Sequence, residues 1–95
     1  MDETLIEALT QEMRADFQLP PYLADAVIGR SLKRCGAVLL ALNPAADFES
    51  DDVGRGLVKD FAYYDINHRY EEFLANYQRD ILSWQLGQEV GNGSD

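Results

Sequence analysis

A chain of 95 residues closes one hydrophobic core and has no room for a second domain, which argues against a multi-step catalytic machine. An apolar content of 46%, with one Trp, five Tyr and four Phe, excludes the low-hydrophobicity signature of intrinsic disorder. Seventeen acids against eight bases, a net charge of −9, argue against a free nucleic-acid binder, because that affinity comes from Lys and Arg displacing counterions.

The N-terminus, "MDETLIEAL", opens on acids and has no basic segment, so it does not read as a signal peptide. Leu5, Ile6, Leu9, Met13 and Phe17 follow at steps of three and four. They predict a first helix over Thr4 to Phe17, with Asp2, Glu3 and Glu7 near the positive end of its dipole. "LPP" at Leu19 to Pro21 ends it, since a residue before proline is pushed out of the α region.

Pro21 suits the first turn of a second helix, expected over about 21 to 42 and stopped by "NP" at 43 and 44. Its apolar set, Leu23, Val27, Ile28, Leu32, Cys35, Val38, Leu39 and Leu42, is broad enough for a central element. Cys35 is the only cysteine and sits in the run "CGAVLLAL", where a thiol serves as a small buried hydrophobe in a reducing compartment. That run, about eight residues long, falls far below the roughly 20 needed to span a bilayer, so no membrane partner is expected. Gly29 and Gly36, seven apart, imply the close approach of another helix.

"NPAADFESDD", Asn43 to Asp52, reads as a loop in which Ser50 or Asp51 caps the next helix and Phe48 folds back onto the core. As a calcium loop it fails, because Asp52 replaces the required glycine and Val58 the bidentate glutamate. From Asp51 to about Leu86 no proline interrupts a helical pattern. At about 100° per residue, Val53, Leu57, Phe61 and Tyr64 share one face. Tyr63, Ile66, Tyr70, Phe73, Leu74, Tyr77, Ile81 and Trp84 share another, rotated by roughly 140°. Either the chain breaks near Asp65 to His68 with Asn67 as a cap, or one long helix faces two partners. The fold class is therefore all-α, a small bundle of three to four helices over residues 1–86, with a polar, glycine-rich tail over 87–95 expected to be disordered.

Chemistry is sparse. His68 has Asp65 three residues before it and Glu71 and Glu72 after it, a setting that reads as a solvated or capping histidine. There is no second histidine and no Glu-x-x-His pair for a di-iron site, so no metal is expected. Gly54-Arg-Gly56 lacks the Lys-Ser/Thr of a phosphate loop, so no cofactor is expected. No catalytic residue is assigned, and the chain is read as a non-enzyme. Arg30, Lys33 and Arg34 form a basic patch on one side of the second helix. They either pair with acids of the first helix or of Asp47 to Asp52, or dock on an acidic neighbour. Seven large rings fall between Phe61 and Trp84, more than so small an interior readily holds. Tyr63, Tyr70, Tyr77 and Trp84 are thus candidate interface anchors.

"LVKDFAYYDINHRYEEFLANYQRDILSWQLG" (Leu57 to Gly87), taken with the acidic first helix, "LPPYL" and "LNPAADFESD", resembles the small head-tail connector, or adaptor, proteins of tailed bacteriophages and prophages. The resemblance implies an all-α structural subunit of the virion, made in the bacterial cytoplasm. It would assemble as a ring with copies of itself, between the portal protein and a tail-side adaptor, extending the channel through which packaged DNA passes without sequence-specific binding. An acidic inner wall would suit that passage. A different class fits the acid excess too: a regulatory module that binds one partner protein, as a DNA mimic does.

Overall fold

The computed structural model describes the backbone of residues 1–90 and the side chains of residues 1–87. Among the described residues the chain forms α1 (Glu3–Phe17), α2 (Asp25–Leu42), α3 (Asp52–Ile66), α4 (Tyr70–Asn76) and α5 (Gln78–Val90), with no strand. The all-α expectation holds. The helix count, five, exceeds the predicted three to four because the last segment breaks twice, after Ile66 and at Tyr77.

α1 starts where Asp2 accepts the Leu5 N–H at 2.8 Å, and it buries Leu5, Ile6, Leu9 and Met13. It ends on Gln18 in the left-handed region, φ 51°. α2 starts at Asp25, four residues later than the proline suggested. The Arg14 guanidinium accounts for the delay: it donates to the carbonyls of Pro20 and Leu23 and to Asp25 Oδ1, so these carbonyls are held in turns. Ile28, Leu32, Cys35 and Leu39 are then fully buried against α1 and α3. A Cβ on Gly29 would lie 3.3 Å from Ile6 Cγ2, so α1 is the helix that approaches there.

The 43–51 loop follows expectation. Phe48 is buried, and Asp51 caps α3 by accepting the Val53 N–H at 3.1 Å, while the Ser50 hydroxyl donates to Asp47. α3 buries Leu57, Val58, Phe61 and Ala62, and ion pairs close its seam with α1. Arg55 Nε lies 3.1 Å from Glu12, and Lys59 Nζ lies 3.1 Å from Glu12 and 2.8 Å from Asp16.

The predicted break near Asp65 to His68 is present. Asn67 Nδ2 donates to the Tyr63 carbonyl at 2.8 Å, His68 takes φ 60°, and the Arg69 N–H returns to the Tyr64 carbonyl at 2.8 Å. The second break, at Tyr77, is a local distortion that the Phe73 and Ile81 hydrogen bonds span. Beyond it Ile81 and Trp84 face inward, while Leu82 and Leu86 stay half exposed on the outside. The helical backbone continues through Gly87 to Val90, so the first part of the segment expected to be a tail is helical. The rest, 91–95, lies outside the described residues.

Candidate functional site

The stretch Tyr63 to Phe73 is a seam inside the subunit. Tyr63 stacks on Phe17 at 4.3 Å, Phe61 on Phe73 at 4.2 Å and Phe73 on Tyr77 at 4.3 Å, with Tyr64 edge-on to Phe73 and Tyr77. Tyr63, Tyr70 and Tyr77 are half buried, while Trp84 is only 4% exposed. Trp84 is therefore an internal strut in this subunit: its Nε1 donates to Asp51 Oδ2 at 2.7 Å. His68 is exposed and serves as the left-handed hinge between α3 and α4. Cys35 is enclosed, and burial pushes its thiol up to about 12, so it stays protonated and unreactive.

Tyr77 and Trp84 nevertheless meet at a surface feature, a groove of about 600 Å³ between α3 and α5. Leu57, Tyr77 and Trp84 form its apolar floor, and Val53, 60% exposed, stands at one edge. Four carboxylates line it, those of Asp51, Asp52, Asp60 and Asp80, and no lysine or arginine does. Burial raises the Asp60 carboxyl above its ordinary value, opposed by the hydrogen bond from the Tyr77 hydroxyl at 3.2 Å. Burial, and then Asp60 itself, push the Tyr77 phenol up to about 12, so it remains a donor over the whole physiological range. Such a groove suits a cationic head carried on an apolar stem.

The basic patch lies on α2. Lys33 pairs with Glu3 of α1 at 2.8 Å, one of the intramolecular pairings the sequence allowed. Arg34 does not reach the Asp47 to Asp52 loop: it lies 3.6 Å from Asp65 and 4.6 Å from the Tyr70 ring centroid. Arg30 is exposed and has no ion pair among the described residues. After Asp25 the helix carries no acid at all. Its exposed side presents Ala26, Val27, Ala37 and Ala41 around the three cations.

Sequence reasoning missed Asp60 and Asp80 as groove residues. Asp60 is seventeen positions from Tyr77, and only the packing of α5 on α3 brings them together. Comparison with protein-family models, with curated proteins and with solved structures finds no match in any of the three.

Proposed function

We propose that this chain is a structural subunit of a tailed phage or prophage virion. It forms a head-tail connector ring with copies of itself, seated between the portal protein and a tail-side adaptor and extending the DNA channel. It performs no catalytic step, binds no cofactor, and acts in the virion after assembly in the host cytoplasm.

The observation that carries this reading is the unfinished surface of α5. Ile81 and Trp84 fill its inner side, yet Leu82 and Leu86 on its outer side are 55% and 50% exposed, beside Leu42 at 42%. A helix apolar on two sides is suited to neighbours on both. The connector-like pattern of Leu57 to Gly87 supplies the kind of neighbour, and the net charge of −9 suits a wall along which DNA slides without sticking.

The test is to mix the protein with the portal protein of the same phage or prophage and image the product by electron microscopy. Ring-shaped density coaxial with the portal is the expected result. Consistent absence of such density, with a one-to-one complex of this chain and a single regulator instead, would favour the interaction-module reading.

A further inference from the structure

We infer that the contact between neighbouring copies in this assembly seats the cationic face of α2 from one copy in the groove between α3 and α5 of the next. The inference rests on the connector reading and adds which two surfaces meet.

Charge selects the occupant. Copies that each carry −9 repel one another overall, and a contact that brings together faces of opposite sign offsets that repulsion locally. The groove has an apolar floor of Leu57, Tyr77 and Trp84 under the Asp52, Asp60 and Asp80 carboxylates, with no base among its lining residues. α2 supplies the complement, Arg30, Lys33 and Arg34 with no acid on the helix past Asp25, although Glu3 and Glu7 of α1 lie beside Arg30 and Lys33, and Asp65 beside Arg34.

Shape agrees with charge. Ala26, Val27, Ala37 and Ala41 give the exposed side of α2 a low relief, which lets a helix lie close in a shallow trough. Val53 at the groove edge and Val27 on the helix, 60% and 36% exposed, are apolar groups such a contact would cover. Lys33 and Arg34 keep 55% and 60% of their side-chain surface exposed despite their internal partners. Exposed pairs of this kind are weak and readily exchanged. Arg30 has no pair to give up among the described residues. The two faces share no residue, so the contact is head-to-tail, the type that closes into a ring when the rotation per copy divides a full turn.

Three variants of the full chain decide the matter: Arg30→Glu, Asp80→Lys and the double variant. Both positions are exposed, so helicity measured by circular dichroism should be unchanged. Self-association is followed by sedimentation velocity, and ring occupancy on the portal by electron microscopy. Each single reversal should weaken association about ten-fold or more. The double variant should recover most of the loss, because exchanging the two charges restores opposite signs across the contact. Equal association of all four proteins, with rings still forming, would overturn the assignment of these faces and leave the connector reading intact. Loss in Asp80→Lys without recovery in the double variant would give the groove to another partner, the portal included. Absence of rings for the unaltered chain with its portal would remove the connector reading itself, and with it this contact.

Discussion

The α1–α3 body and the α4–α5 arm are held together by different physics. In the body, fully buried aliphatic side chains, Leu9, Met13, Ile28, Leu32, Leu39 and Val58, close the interior, and Arg55 and Lys59 tie α3 to Glu12 and Asp16 of α1. In the arm, few side chains reach the core. Phe73, Ile81 and Trp84 do so, and two hydrogen bonds to carboxylates, Trp84 to Asp51 and Tyr77 to Asp60, fix the angle of α5. Exposed apolar side chains occur on both: Val27, Leu42 and Val53 on the helices of the body, and Leu82 and Leu86, at 55% and 50%, on the outer side of α5. A subunit built this way has a body closed by its own aliphatic core, an arm held by rings and two hydrogen bonds and, on the proposed reading, surface on both that a neighbour covers.

The sharpest way to break that contrast is to delete the ring that joins the halves. Phe73 is fully buried, stacked on Phe61 and Tyr77, and Phe73→Ala should cost about 3–5 kcal/mol of unfolding free energy measured in urea. Hydrogen exchange should show protection lost first in α4 and α5. Uniform loss across all helices would mean that body and arm unfold as one unit.

Next comes the strut. Asp51 caps α3 through the Val53 N–H and accepts from Trp84, so Asp51→Ala removes at least these two bonds, at a cost of about 2 kcal/mol. Trp84→Phe, which leaves the cap in place, should cost about half as much by the same measurement. Because Trp84→Phe also trims a buried ring, a cost above that of Asp51→Ala would show that packing of the indole, more than its bond to Asp51, anchors α5.

How much of this was legible depends on whether a feature lies along one helix or between two. The spacing of Leu5, Ile6, Leu9 and Met13, and of Ile28, Leu32, Cys35 and Leu39, placed both helices and their buried sides, because those residues repeat with the helical period. The turn at Asn67 was legible only as one of two readings of the rotated apolar face, and the structure has it. The late start of α2 was not, since it depends on Arg14 reaching residues 6 to 11 positions away. The break at Tyr77 was not either: nothing in the local sequence forbids a helix there, and the bond from its hydroxyl to Asp60, seventeen positions away, belongs to tertiary packing. The acidic groove was hidden for the same reason.

Acid should separate the halves by sign. The hydrogen bond from Arg55, helped by Lys59, lowers the Glu12 carboxyl from 4.5 to about 2. Its folded value lies below its unfolded one, so its stabilisation is complete above about 4.5 and is lost as pH falls toward 2. Because Glu12 is 36% exposed, solvent screening leaves an effect of about 1 kcal/mol. Asp60 is the reverse case. Its folded value is raised by burial, so its contribution is present below its unfolded value of 3.8 and declines as pH rises through the folded one. Between pH 5 and 2, Glu12→Gln should flatten the acid loss of stability, and Asp60→Asn should steepen it. Identical acid limbs in the two variants would sink the distinction.

The smallest effects come from two glycines on the first turns of α3, and they differ in sign because one faces the arm and the other open space. Replacing a helical glycine with alanine ordinarily gains up to about 1 kcal/mol by restricting the unfolded chain. At Gly56 a new Cβ would meet nothing within 4 Å, so Gly56→Ala should gain most of that amount. At Gly54 the same Cβ would sit 2.8 Å from Asp51 Oδ2 and 3.2 Å from the Trp84 ring. It would press on both partners of the bond that anchors α5, and the propensity gain should be cancelled or reversed. Thermal denaturation of the two variants side by side is enough to check this, with a higher midpoint for Gly56→Ala and an unchanged or lower one for Gly54→Ala. Equal rises at both positions would mean that the Trp84 strut yields freely, and that the angle of α5 is set by contacts outside this subunit.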